Sequence, residues 1–144
     1  MTQQFHKFWL KLAGVSLALF GILGFLGTMP ATNEPLRWSL DLLAWPLDGF
    51  PSYQSREIWF LSALAGGFLM GWGVTVWGMA HWLYDVASEP VRKTFLTGMC
   101  SWFLLDSAGS IASGNWPNAV WNIAVLLFLV GPLWKSSKIS EPVV

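Results

Sequence analysis

Two pairs of polar side chains, set in two long apolar segments, are the residues of this sequence best placed to do chemistry. Asp106 and Ser110 precede Gly114 by eight and four positions, and Asn118 and Asn122 follow it by four and eight. Residues four apart share one face of a helix, and positions equidistant from a tight hairpin lie at similar depth. The spacing therefore predicts that Asp106 meets Asn122 and that Ser110 meets Asn118.

A carboxyl group in such a segment is unusual, because an aspartate at the centre of a membrane helix costs roughly 2.5–3.5 kcal/mol to insert. Three interpretations of Asp106 stay open at this point. It forms a hydrogen-bonded clamp with the asparagines, an ion pair with Arg37 or Arg56 from the outer side, or a functional site that exchanges a proton or binds a cationic group. Ser110 has no intramembrane histidine to act as its base, so we do not expect nucleophilic catalysis.

Four apolar segments are long enough to cross about 30 Å of hydrocarbon as helices. They are residues 8–27, 58–80, 94–113 and 118–134. The sequence therefore predicts an all-α integral membrane protein, with a single membrane domain over residues 1–144. In the outer loop, residues 28–57, leucines recur at helical spacing from Leu36 to Leu43, which predicts a short amphipathic helix that does not span.

The basic residues indicate how these segments are oriented. With four spans, six of the eight lysines and arginines fall on one side: Lys7, Lys11, Arg92, Lys93, Lys135 and Lys138. The positive-inside rule therefore predicts that both termini lie in the cytoplasm. The first segment also resembles a secretory signal. However, the residues that follow it, Thr28 to Ala31, make a poor cleavage site, so we expect it to remain as a span.

Small residues indicate where the helices pack, because helices in lipid approach closely only where side chains are small. The second segment carries a small residue every four positions: Ala63, Gly67, Gly71 and Thr75. Gly66 and Gly73 widen the same groove. The first segment offers a companion face: Gly14, Ala18 and Gly21. We expect a tight contact between these two helices, within one chain or between two copies.

Eleven tryptophans are many for a chain of 144 residues, and most stand near the ends of apolar runs, as at membrane interfaces. Trp72 and Trp102 lie deepest in their segments and are expected to approach each other. Core filling is the favoured interpretation of this pair, and stacking on a flat ligand is the alternative.

Composition argues against several functional classes. The net charge is zero and only 11% of residues are charged, so no basic face for nucleic acid is expected. A single cysteine, Cys100, rules out an internal disulfide and a Cys-rich metal site. No phosphate-binding, dinucleotide-binding or zinc motif occurs. We therefore expect no cofactor, no metal and no enzymatic activity, and we place His6 and His81 at the solvated inner boundary.

Three stretches carry a resemblance to known proteins: LLAWPLDG at 42–49, AGGFLMGWG at 65–73 and WFLLDSAGS at 102–110. Together they resemble a family of small, uncharacterised four-span bacterial inner-membrane proteins, some of which are mislabelled as an excinuclease subunit. The resemblance implies a bacterial inner membrane and no particular activity. The missing phosphate loop and basic face contradict a DNA-repair ATPase.

Two functions follow as expectations. The leading one is a non-enzymatic accessory or assembly subunit that docks a membrane-protein partner, another copy of itself or the lipid bilayer. The alternative is a small transport or ligand-binding protein that uses the polar site around Asp106.

Overall fold

The computed structural model describes residues 1–47, 53 and 55–137, and the regular elements in that part of the chain are helical. The all-α fold is therefore confirmed for the described residues. In chain order the elements are α1 (Gln3–Leu26), α2 (Glu34–Ala44), α3 (Arg56–Gly78), a π-helical turn (Met79–Leu83), α4 (Ser88–Ala112), α5 (Trp116–Val130) and a 3-10 turn (Gly131–Trp134).

Three helical stretches are long and apolar enough to cross a membrane, and they match three of the four predicted segments: Gln3–Leu26, Arg56–Leu83 and Trp116–Trp134. The fourth predicted segment falls within α4. This helix has 25 residues, about 37 Å at a rise of 1.5 Å per residue, but its serines, threonines and Asp106 lower its hydropathy.

Local signals set several of the helix ends. The side chains of Thr2 and Ser55 accept hydrogen bonds from the backbone N–H groups of Phe5 and Ile58, each at 3.3 Å, and so cap α1 and α3. At the other end of the chain, α5 gives way to the 3-10 turn just before Pro132. Proline has no N–H to continue the α-helical bonding pattern, so the change falls where the sequence requires it.

The most extensive helix contact joins α1 to α3, and glycines form its seam. A Cβ atom added at Gly73 would lie 2.5 Å from the carbonyl oxygen of Gly14. One added at Gly66 would lie 2.7 Å from the carbonyl oxygen of Gly21. Because these backbones touch, a tight contact between the first two predicted segments is confirmed, and it is made within one chain.

The predicted packing stripe on α3 does not face α1 within the chain. All four of its residues are exposed: Ala63, Gly67, Gly71 and Thr75. A Cβ atom added at Gly67 or Gly71 would meet no atom within 4 Å. Gly66 and Gly73 are seven residues apart, two helical turns, and therefore face α1 together, whereas Gly67 is turned about 100° from Gly66 around the helix.

A tight turn joins α4 to α5. Gly114 adopts a left-handed conformation with φ of 81°, which glycine tolerates best. The N–H of Asn115 donates to the carbonyl of Ser110 at 2.8 Å, and the N–H of Gly114 donates to that of Ile111 at 3.0 Å. This pair of bonds is the Schellman motif that ends many helices. It brings α5 back antiparallel to α4, as the sequence predicts.

The α1–α3 and α4–α5 pairs meet chiefly at one end of the bundle, which we call the basal end. There the Nε1 of Trp9 on α1 donates to the carbonyl of Leu129 on α5 at 3.1 Å, which joins the two pairs. Within the α4–α5 pair, the Nη1 of Arg92 donates to the carbonyl of Leu133 at 2.9 Å. The apolar core is concentrated in the same half, including Leu10, Val76, Tyr84, Phe95, Met99 and Leu133. Both ends of the described chain therefore lie at the basal end.

At the opposite, apical end, α2 lies across the space between the two helix pairs. Its Leu42 carbonyl accepts a hydrogen bond from the Nε1 of Trp121 on α5 at 3.1 Å. In the same loop, Tyr53 is only 1% exposed, and its hydroxyl is hydrogen-bonded to the side chain of Ser62 on α3. The loop after α1 is therefore attached to both pairs.

Candidate functional site

The polar site lies inside the α4–α5 hairpin. The Oδ2 atom of Asp106 accepts hydrogen bonds from the Nδ2 of Asn122 at 2.7 Å and from the Nδ2 of Asn118 at 3.3 Å. Asn118 also donates to the Oγ of Ser110 at 2.8 Å. Both contacts predicted from the spacing are present. Asp106 and Asn122 each lie six residues inside their helices, about 9 Å from the helix ends.

Ser107 belongs to this site and was missed by the sequence analysis. Its Oγ accepts a second hydrogen bond from the Nδ2 of Asn122, at 3.2 Å. Ser107 and Ser110 are three residues apart, and that spacing places them on one helix face. The spacing of the two serines could therefore have identified Ser107. The prediction used only equal distance from the hairpin turn, and on that basis it paired Asn122 with Asp106 alone.

The hydrogen bonds leave one face of the carboxyl group open. Each asparagine uses both of its Nδ2 hydrogens, one on Asp106 and one on a serine. The Oδ1 atom of Asp106 accepts no hydrogen bond from any residue in the described part of the chain. The asparagine side chains thus hold the carboxyl group by one oxygen and leave the other available.

The ion-pair interpretation of Asp106 is wrong for the described residues. Arg37 pairs instead with Glu34 on its own helix, with 2.5 Å between Nη1 and Oε1. Arg56 is exposed at the first residue of α3. Neither arginine forms an ion pair with Asp106. The short helix α2 holds Arg37 beside the carboxylate of Glu34 instead.

A cavity of about 470 Å³ lies next to the polar site, between the two helix pairs and beneath α2. Asp106, Asn118 and Asn122 line it at the apical end. Asn115, just before α5, adds a fourth polar side chain to the lining. Apolar side chains from the five helices form most of the wall, among them Leu17, Leu40, Leu43, Leu69, Trp72 and Trp102. The structure thus brings the two deepest tryptophans to the same cavity as Asp106, a connection that the sequence did not indicate.

The lining has the character of a small-molecule binding site. Within the described range, no group of three or more His, Cys, Asp or Glu side chains is placed to hold a metal ion. Neither histidine lines the cavity. A mostly apolar cleft or cavity with a few convergent polar groups is the usual form of a small-molecule site, and 470 Å³ falls in the usual range of about 300–1,000 Å³.

A second polar cluster at the basal end was also missed. His6, expected to be solvated, is fully buried, and its Nδ1 is hydrogen-bonded to the hydroxyl of Tyr84 at 3.1 Å. His81, by contrast, is exposed and stacks on Trp77, with 4.7 Å between ring centroids. Burial raises the pKa of the Tyr84 hydroxyl above its ordinary value. The extra turn of α1 before the predicted segment brings His6 into the bundle.

Arg92 completes the basal cluster by joining two elements. Its guanidinium donates to the Leu133 carbonyl and to both carboxylate oxygens of Glu89, at 2.8–3.1 Å to the carboxylate. The Arg92 side chain holds the pKa of Glu89 below its ordinary value. Since these contacts join the start of α4 to the turn after α5, the cluster has a structural role.

No protein-family profile, curated protein or solved structure matches this chain, so the family resemblance in its sequence stays a prediction and its function is inferred from geometry.

Proposed function

We propose that this chain is a four-span protein of the bacterial inner membrane that binds a small ligand in the cavity beneath α2. The observation that carries the proposal is the position of Asp106. Its carboxyl group lies at the apical end of a largely apolar cavity of about 470 Å³, with Oδ2 held by two asparagines and Oδ1 available.

The proposal of a fourth span rests on the pairing of α4 with α5. The Trp116–Trp134 stretch is long and apolar enough to cross a membrane. Because the Asp106–Asn122 and Ser110–Asn118 hydrogen bonds hold α4 alongside it, α4 must occupy the same depth. The carboxyl group of Asp106 then faces protein and the cavity instead of lipid, which lowers the free-energy cost of placing it in the membrane.

The proposed orientation places the basal end in the cytoplasm. That end carries an excess of basic residues: Lys7, Lys11, Arg92, Lys93 and Lys135. Lys138, which also entered the sequence prediction, lies outside the described residues. The helix ends joined there by hydrogen bonds support a common side for both termini, and the positive-inside rule makes that side cytoplasmic. In this orientation α2 lies on the outer surface.

A purely structural role accounts less well for the carboxyl group. Hydrogen bonds between membrane helices contribute only about 0.6 kcal/mol on average, and neutral side chains supply them without a carboxylate. A charged group costs roughly 2.5–3.5 kcal/mol to insert, so two such bonds do not offset it. An additional interaction at Oδ1 would account for an aspartate at this position.

Native mass spectrometry of the protein, extracted gently from its own membrane, tests the binding function. We expect a bound molecule of defined mass, lost in Leu69→Trp, in which the larger ring fills the cavity. The matched control is Leu61→Trp on the same helix, because Leu61 is 59% exposed on the outside of the bundle. A bound molecule that persists in Leu69→Trp, or that no sample carries, contradicts the proposal.

The accessory-subunit function remains a second candidate because of the exposed small residues on α3. Gly67 and Gly71 face away from the bundle with no neighbour near them, and in lipid such a face permits another helix to approach. Gly71→Leu would then release a copurifying membrane protein or a second copy, while Leu61→Trp retains it. Unchanged recovery of that protein in Gly71→Leu rules this candidate out.

A further inference from the structure

We propose that the ligand of the cavity is a lipophilic amine: a compact apolar molecule with one protonated nitrogen and no anionic group. This inference rests on the proposed binding function and specifies the class of ligand. Three features of the cavity carry it, namely the hydrogen-bonding groups left open at its polar end, its charge and its apolar wall.

The groups left open on Asp106, Asn118 and Asn122 are hydrogen-bond acceptors. Both Nδ2 hydrogens of Asn118 and of Asn122 are already used inside the cluster. What remains on these side chains is the Oδ1 atom of Asp106 together with the two asparagine carbonyl oxygens. Asn115, the fourth polar residue of the lining, adds an amide that can both donate and accept. The Oγ atoms of Ser107 and Ser110 act as acceptors here. Such a set complements a donor, and an ammonium nitrogen donates N–H bonds without needing to accept any.

The charge of the cavity is complementary to a single cation. Asp106 is the only ionisable side chain among the described residues that line it. A charge removed from water is stable only when it is paired, so the carboxylate selects a ligand that brings the opposite charge. No arginine, lysine or histidine lines the cavity among the described residues. A zwitterionic lipid headgroup would leave its phosphate unpaired there, which favours a ligand without an anionic group.

The wall of the cavity accommodates the apolar part of such a molecule. Leu69, Trp72 and Trp102 lie on its α3 and α4 sides, and Leu40 and Leu43 of α2 lie above it. Indole rings bury a large apolar area, and their faces also attract cations. The ligand would therefore bind with its nitrogen at Asp106 and its apolar body against the tryptophans.

The test is a direct binding measurement on the full chain in lipid nanodiscs. The probes are 1-aminoadamantane and its neutral isostere 1-adamantanol, which have the same apolar body. Isothermal titration on the wild type, Asp106→Asn, Leu69→Trp and Leu61→Trp separates binding from partitioning into lipid. Near-UV circular dichroism of each variant reports whether it is folded.

We expect saturable binding of the amine to the wild type and to Leu61→Trp. The wild type should bind the alcohol with at least tenfold lower affinity than the amine. Asp106→Asn should bind the amine with at least tenfold lower affinity than the wild type does. A tenfold change in affinity corresponds to about 1.4 kcal/mol. Leu69→Trp should bind neither probe. The comparison of amine with alcohol uses the wild type alone, so it remains decisive if Asp106→Asn fails to fold.

The two proposals fail in different ways. Equal affinity of the wild type for amine and alcohol, or undiminished amine binding by folded Asp106→Asn, overturns the amine assignment and leaves a cavity that binds by shape. Lack of saturable binding of either probe to the wild type, or equal binding by Leu69→Trp, overturns both proposals.

Discussion

The glycine seam between α1 and α3 gives a prediction in which two similar substitutions have opposite effects. Gly73→Ala places a methyl group 2.5 Å from the Gly14 carbonyl oxygen, so the two backbones must separate. Gly71→Ala, two residues away on the same helix, places its methyl group where no atom lies within 4 Å. We expect Gly73→Ala to destabilise the protein and Gly71→Ala to leave it unchanged or stabilise it.

The magnitude follows from two terms. Replacing glycine by alanine inside a helix favours the helix by about 1 kcal/mol at both positions. Overpacking a close contact costs about 1–3 kcal/mol, and this term applies only at Gly73. The helix term cancels in the comparison. The free energy of unfolding of Gly73→Ala should therefore be lower than that of Gly71→Ala by about 1–3 kcal/mol.

Equilibrium unfolding in a mild detergent, followed by circular dichroism, measures this difference. Gly66→Ala and Gly67→Ala provide a second pair, because a Cβ atom at Gly66 would press on the α1 backbone and one at Gly67 would meet no atom within 4 Å. Equal losses at Gly71 and Gly73, or a stabilised Gly73→Ala, would refute the assignment of the seam and restore the stripe expected from the sequence.

Three further predictions concern the basal cluster and the topology. Arg92→Met leaves carbonyl groups at the end of the last helix without their donor and should lower the free energy of unfolding by about 1–3 kcal/mol, whereas Lys93→Met, at an exposed position, should not. The Arg92 side chain lowers the pKa of Glu89 in the folded state. The contribution of this ion pair to the free energy of unfolding is therefore complete above the pKa of Glu89 in the unfolded chain, and it is lost as the pH falls through the pKa of Glu89 in the folded protein. Thermal unfolding from pH 7 to pH 3 should show this loss, and Glu89→Gln should reduce it; an identical pH profile for the variant contradicts it. With the native cysteine replaced by serine, Ser113→Cys should react with an impermeant maleimide from the periplasm and Ser136→Cys only from the cytoplasm; labelling of both from one side contradicts four spans.

Local sequence signals made the α4–α5 site predictable. The Gly114 turn uses a motif that glycine favours, and equal spacing on either side of it sets the depth of each polar residue. Asp106 therefore meets Asn122, and Ser110 meets Asn118, through short-range geometry alone. A prediction of this kind succeeds because the partners are at most sixteen residues apart along the chain.

The face of α3 that packs against α1 was not predictable in the same way. Its sequence carries two sets of small residues, one containing Gly67 and Gly71 and the other containing Gly66 and Gly73. Both sets allow a close approach, and the rotation of the helix decides between them. That rotation depends on how Gly14 and Gly21 pack against α3, a tertiary contact that periodicity in one segment does not specify.

The cavity was beyond sequence reasoning because it arises from the arrangement of two helix pairs. Each pair is held by its own contacts, glycines between α1 and α3 and polar side chains between α4 and α5. The basal core then joins the pairs at one end. The space between the pairs at the apical end depends on how the two pairs pack against each other, which patterns within a single segment do not specify.

This division explains why the polar site and the core occupy opposite ends of the bundle. Asp106 draws its hydrogen bonds from within the α4–α5 pair, so those bonds do not require the two pairs to close on each other. At the basal end, the hydrogen bond from Trp9 to Leu129 and the apolar core hold the two pairs together. A space therefore persists beside the carboxyl group at the apical end, and α2 covers it through the Trp121–Leu42 hydrogen bond. A substitution at the basal end should thus change stability first, and one around Asp106 should change binding first.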